Sequence, residues 1–160
     1  MNFPTSVKSG FSNYANFKGR ASRSEFWWFI LFSQLVQTVA QQASGPTGAI
    51  AWFALLIPGL SVHVRRLHDS GRSLRWLLWL IASLVGFGIA FNRLLAQTGQ
   101  TIANLDAEKL FDNGSQFWIL AMFVFLISMS FSGIVNFVFL LMPSDSEMNK
   151  YGPPPPPTIE

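Results

Sequence analysis

The sequence predicts an all-α integral membrane protein with four transmembrane helices and both termini cytoplasmic. Three observations predict it. Only 12% of the 160 residues are charged, about half the quarter found in soluble domains. Two long runs, residues 26–64 and 117–142, contain no Asp, Glu, Lys or Arg at all. Nine of the eleven Lys and Arg residues fall on one side of a four-span layout, and that side is the cytoplasm by the positive-inside rule. A chain this short has one core at most. Such a core cannot hide both runs together with the aromatic stretch at 76–92. The composition also excludes a disordered chain, and the absence of Cys excludes a disulfide scaffold.

Residues 1–25 form a cytoplasmic N-terminal segment. It carries Lys8, Lys18, Arg20 and Arg23 but no short apolar core, so no cleavable signal peptide is expected. Phe11, Tyr14 and Phe17 stand at i, i+3 and i+6. That spacing suits a short interfacial helix, or else a tail packed loosely against the span ends. Ser22-Arg23-Ser24-Glu25 fits a capping box directly before the first apolar run.

The membrane domain covers residues 26–142. A hydrocarbon core of about 30 Å needs about 20 helical residues, so the first uncharged run holds two spans. Its turn composition, Ser44-Gly45-Pro46-Thr47-Gly48, divides it into span 1 at 26–44 and span 2 at 49–64. Span 1 has eight Leu, Ile, Phe or Val residues against four Gln, which favours insertion as a hairpin with span 2. Pro58-Gly59 is expected to bend span 2. Span 3 is 76–92, bracketed by Arg75 and Arg93 and thinned by Gly86 and Gly88. Span 4, at 117–142, carries 16 Leu, Ile, Phe or Val residues and should insert unaided. The loop between spans 3 and 4 faces the periplasm, with a helical turn expected at 106–110. Residues 143–160 are a cytoplasmic tail ending in the extended segment Pro153–Pro157.

Three cytoplasmic segments stand out: Phe17-Lys18-Gly19-Arg20-Ala21-Ser22-Arg23-Ser24-Glu25-Phe26-Trp27, Val64-Arg65-Arg66-Leu67-His68-Asp69-Ser70-Gly71-Arg72-Ser73, and Asn149-Lys150-Tyr151-Gly152-Pro153. Together they resemble the YhaH/YhaI-like family of small bacterial inner-membrane proteins, a domain of unknown function. The resemblance implies a helical bundle in a bacterial plasma membrane and no established reaction. The sequence departs from the family pattern twice. Leu74-Arg75-Trp76 stands where Gly-Trp-Trp is usual, and Ser144-Asp145-Ser146-Glu147-Met148 replaces a Gly-rich turn.

Arg20, Arg23, Arg65, Arg66 and Arg72 are the lipid- or anion-binding candidates, because guanidinium forks bind phosphate and basic cytoplasmic pockets bind anionic headgroups. The plain alternative is a topology signal. Glu25, His68 and Asp69 are the ion-pair or acid–base candidates. The two carboxylates are expected to pair with the arginines and lock spans 1, 2 and 3 together. No catalytic residue is assigned, and no metal or cofactor is expected, since His63 and His68 lack the further ligands a metal needs. Gln34, Gln37 and Gln41 share one face of span 1, extended by Ser44. Asn136 in span 4 lies at the depth of Gln34 and is a possible hydrogen-bond partner for it. The first functional expectation is a non-enzymatic protein whose arginine-rich face binds lipid headgroups or a membrane-protein partner, with self-association a further option and no nucleic-acid partner. The alternatives are a small transporter or channel component using the polar stripe, and a membrane enzyme acting on a lipid phosphate.

Overall fold

A computed structural model describes residues 1–43, 46–103 and 113–155, with the backbone alone described at 100–103 and 113. Among them are five α-helices: α1 Phe3–Ser12, α2 Arg23–Gln42, α3 Thr47–Asp69, α4 Arg75–Ala103 and α5 Asn113–Leu141. The chain divides into two compact units. One comprises Met1–Leu74 with Val138–Glu160, and the other comprises Arg75–Phe137.

In the first unit, α1 takes in only Phe11 of the aromatic triplet that suggested a helix. The Asn2 side chain accepts from the Thr5 amide at 3.1 Å, and Pro4 occupies the first turn, where its missing N–H is no loss. The helix ends at Ser12, so Phe11, Tyr14 and Phe17 do not share a helical face. Phe11 instead packs edge-on against Phe29 and Phe32. The Tyr14 hydroxyl donates to the Ala54 carbonyl at 2.8 Å. Gly10 lets the Phe29 ring approach α1 so closely that a Cβ there would overlap it.

Half of the expected capping box forms at the start of α2. Ser22 Oγ accepts from the Glu25 amide at 3.2 Å, whereas the Glu25 carboxylate turns to other partners described below. The Ser44 extension of the glutamine face and the Ser44-Gly45 part of the turn lie outside the described residues. α2 and α3 then pack around a small core of Phe26, Phe29 and Val62, closed by Leu140.

α3 continues five residues past the expected end of span 2. Arg65, Arg66, His68 and Asp69 are therefore helical, not loop residues. Pro58 is buried inside the helix and does not end it. The true stop is a Schellman motif: Gly71 takes φ +68°, its amide donates to the His68 carbonyl at 3.0 Å, and the Arg72 amide donates to the Leu67 carbonyl at 2.9 Å.

In the second unit α4 and α5 contact each other through small residues. Gly86 makes room for the Phe125 ring. Ser83 Oγ and Ser128 Oγ lie 2.8 Å apart, and Trp79 Nε1 donates to Ser128 Oγ at 3.0 Å. α4 extends beyond span 3 at both ends, and α5 begins four residues before the expected span 4 and ends one residue short of it. The expected helical turn at 106–110 and the tail beyond residue 155 lie outside the described residues.

Among the described residues, three helices are long and apolar enough to cross a membrane: α3, α4 over Arg75–Gly99 and α5 over Gly114–Leu141, with mean hydropathies of 1.6, 1.7 and 2.2. α2 is not among them. Its charged first turn and four glutamines dilute its apolar content.

Candidate functional site

The three dense polar segments converge in the first unit. The Ala21 amide donates to the Arg65 carbonyl at 3.1 Å, joining the first segment to the end of α3. The Asp145 amide donates to the Asp69 carbonyl at 3.3 Å, joining the segment after α5 to the same place. Asn149 Nδ2 donates to the His68 carbonyl at 3.0 Å, and the Tyr151 ring stacks on the His68 ring with centroids 3.7 Å apart. A backbone bridge between Asn149 and Gly152 holds this tail turn closed.

Between these segments lies a cluster of buried charge. Asp69 is fully buried and accepts from two arginines: Arg20 reaches its Oδ1 at 2.9 Å, and Arg66 pairs with its Oδ2. Arg66 is also fully buried. Its remaining donors go to the carbonyls of Leu140 and Met142, which lie at the C-terminus of α5 and would otherwise be orphaned. Arg20 further donates to the carbonyls of Asp145 and Glu147. Arg65 donates from Nη1 to Glu25 Oε1 at 2.9 Å, and Ser9 Oγ donates to the same oxygen at 2.8 Å. Ion pairs out of water are stable only when such hydrogen bonds satisfy their remaining donors and acceptors.

The sequence candidates therefore separate. Arg20, Arg65, Arg66, Glu25 and Asp69 meet in one buried network. This joins α2 to α3 through Arg65 and Glu25, and ties both to the chain after α5 through Arg20 and Arg66. Arg23 and Arg72 remain exposed. Arg23 reaches the Leu141 carbonyl at 3.5 Å, and Arg72 covers the Phe139 ring at 4.6 Å. His68 lies against Tyr151 with Nδ1 3.3 Å from the Gly19 carbonyl oxygen. Both oxygens of Asp69 face guanidinium groups.

Beside the network is a cavity of about 350 Å³, lined by Ser9, Asn13, Asn16, Lys18, Glu25 and Arg65 among others. Arg65 is only 4% exposed, and its Nε and Nη2 have no partner among the described residues. A charged donor left unmet in the interior is costly. Sequence reasoning named Arg65 but not Ser9, Asn13, Asn16 or Lys18 as its neighbours. The lysine was visible as charge, whereas the polar trio gave no signal.

The glutamine stripe is separate from this end. Gln34 and Gln37 line a second cavity of about 250 Å³ between α2 and α3, with Ser33, Trp52, Gly59 and His63. Gln41 lies against Gly48 at the far end of α2. Asn136, in the second unit, donates from Nδ2 to the carbonyls of Trp76 at 3.0 Å and Ser132 at 2.8 Å. No group of His, Asp or Glu suited to a metal ion occurs among the described residues.

Comparison with known proteins places the chain in context. It is 34% identical over 86 residues to inner membrane protein YhaH of Escherichia coli (strain K12), covering 47% of this chain and 71% of that protein. It is 32% identical over 82 residues to inner membrane protein YhaI of the same strain, covering 47% and 70%. It is 36% identical over 77 residues to the uncharacterized protein YiiR, also of that strain, covering 42% and 51%. No solved structure matches the chain. With inner-membrane relatives and three membrane-capable helices, this is a multi-pass inner membrane protein. A family model described as "Protein of unknown function (DUF805)" matches residues 14–105. That stretch contains two of the three converging segments and more than half of the chain, which therefore belongs to the DUF805 family.

Proposed function

We propose that this chain is a non-enzymatic, four-span protein with both termini cytoplasmic, and that it binds the headgroups of anionic lipids at its arginine-bearing end. The carrying observation is Arg65, buried beside a polar cavity with Nε and Nη2 unmet. Arg20, Arg65 and Lys18 line that cavity against the single carboxylate of Glu25. A phosphate group offers the acceptors that a guanidinium fork fits. The location at a helix end, beside exposed Arg23 and Arg72, suits a headgroup more than a soluble metabolite.

The four-span reading draws on the hydrogen bonds that join residues 21 to 65 and 69 to 145. These are short protein contacts, so their partners share one side of the bilayer. The chain must then return to that side after α2 and α3, and again after α4 and α5. If α2 stayed outside the membrane, α3 alone would part Ala21 from Arg65. At 20 residues α2 is about 30 Å long, enough to cross.

Native mass spectrometry of the purified chain, released from mild detergent with added phosphatidylglycerol or phosphatidylcholine, tests the headgroup reading. Phosphatidylglycerol should be retained in preference. Lys18→Ala should weaken that retention, and Arg65→Gln should weaken it about tenfold or more, the scale of a lost charge-assisted hydrogen bond. Equal retention of the two lipids would sink the proposal.

A further inference from the structure

α1 and the turn after it pack on α2 and α3, and their depth and tilt follow from contacts within the first unit. Both ends of α1 meet the same short stretch of α2. On one edge the Met1 amino group donates to Ser24 Oγ at 3.1 Å, and Ser9 Oγ donates to Glu25 Oε1 at 2.8 Å. On the other edge the Phe3 and Phe11 rings both lie against Phe32, with centroids 6.5 and 5.8 Å away. The ten residues of α1 span about 15 Å, whereas Ser24 and Glu25 are about 1.5 Å apart along the axis of α2. α1 therefore crosses α2 steeply and does not run along it. Its two edges differ in chemistry. Phe3, Val7 and Phe11 recur every four residues and share one face, while Thr5, Ser9 and Ser12 share the opposite one.

The turn after α1 reaches further along α3. Ser61 Oγ, fully buried, donates to the carbonyls of Asn13 and Asn16, both at 2.7 Å. The Tyr14 hydroxyl donates to the Ala54 carbonyl. Ala54 is the residue whose carbonyl Pro58 cannot serve, since a proline four residues on has no N–H to offer it. Ala54 lies about 16 Å along the helix from Arg65. Hydrocarbon at that depth would leave the carbonyl unmet.

We infer that residues 3–17 are part of the membrane domain, on its cytoplasmic side. α1 lies in the plane of the inner leaflet, with Phe3, Val7 and Phe11 at the level of the acyl chains and Thr5, Ser9 and Ser12 at the level of the headgroups. Tyr14 reaches down to complete the hydrogen bonding of α3. The partner this amphipathic surface fits is the lipid leaflet itself. From Glu25 to Phe32 is about 10 Å along α2, the depth to which an interfacial helix sinks its apolar face. The inference rests on the four-span reading, which stands α2 and α3 upright in the bilayer.

The chain has no cysteine, so single spin labels can be placed at will. In liposomes, relaxation by dissolved oxygen should outweigh relaxation by a water-soluble nickel chelate at V7C and F11C, and the reverse should hold at T5C and S12C. A ratio that does not alternate between the two pairs would overturn the placement, whether all four positions are wet or all four dry. Tyr14→Phe should lower the thermal midpoint in detergent, but hardly at all beside Pro58→Ala, whose amide can bond the Ala54 carbonyl itself. Equal losses in the two backgrounds would overturn the part given to Tyr14. Failure of the four-span reading is told apart by T47C. If that position is open to an impermeant maleimide outside the cell while the spin labels show no alternation, the spans stand and the placement of α1 alone falls. If it is closed from outside and open from the cytoplasm, α2 does not cross and the inference falls with it.

Discussion

Asp69 is the buried carboxylate on which two arginines meet. It pairs with Arg20 and Arg66, and those arginines also reach carbonyls after α5. Removing its charge would leave two buried guanidinium groups facing a neutral amide. Breaking a buried ion pair costs about 3–5 kcal/mol. Asp69→Asn should therefore lower the thermal midpoint in detergent sharply, while Arg72→Ala, which removes an exposed cation–π contact, should cost under about 1 kcal/mol. Equal midpoints for the two variants would refute the central role of Asp69. The pairing itself was legible: Arg65-Arg66-x-His68-Asp69 sets opposite charges side by side at a span end. Its burial was not, because dense charge reads as a solvated loop. The acceptors of Arg66 were illegible too, since backbone carbonyls 74 and 76 residues away leave no mark in side-chain chemistry.

Element boundaries were read least well where hydropathy and backbone geometry part company. The apolar run stops at Val64, but α3 runs to Asp69 because its last turn is paired and packed instead of hydrated. The actual stop was visible in Asp69-Ser70-Gly71, where only the glycine tolerates φ +68° without strain. Gly71→Ala should cost about 1–2 kcal/mol, the penalty of a left-handed backbone with a Cβ, and Asp145 Oδ2 at 3.3 Å from that Cβ adds crowding. Circular dichroism melts in detergent would register the loss, and an unchanged melt would deny the motif a part in stability. α1 was missed because aromatic spacing drew attention to Phe11, Tyr14 and Phe17, while the weaker signal of Asn2 followed by Pro4 went unweighed. Its contact with α2 depends on Gly10 beside Phe29. Gly10→Ala should overpack that contact by about 1–3 kcal/mol. Limited proteolysis should then cut near residues 13–17 faster than in the unaltered chain, and an unaltered cleavage rate would show that α1 docks by other means.

For the molecule as a whole, the charge distribution and the tertiary contacts constrain topology independently. Counting Lys and Arg groups the N-terminal segment, the end of α3 and the tail on one side. Hydrogen bonds within the first unit join those same three stretches. Hydropathy taken helix by helix disagrees, because α2 falls short and leaves three candidate spans. On the four-span reading proposed above, the difference is explained by the company α2 keeps. A span with four glutamines is poor when judged as a lone helix in oil. Beside α3 it buries Phe26 and Phe29, and the Glu25 of its first turn is paired with Arg65. α2 should accordingly insert as half of a hairpin. A fusion carrying α2 alone should leave a downstream glycosylation tag on the starting side of microsomal membranes, and one carrying α2 with a following polar linker and α3 should insert both. In the full chain, a membrane-impermeant maleimide added to intact cells should label T47C, at the start of α3, but label S70C only after the inner membrane is broken. If the labelling were reversed, with S70C open to the reagent and T47C protected, α3 would cross without α2, and the bond between Ala21 and Arg65 would have to form in some other way.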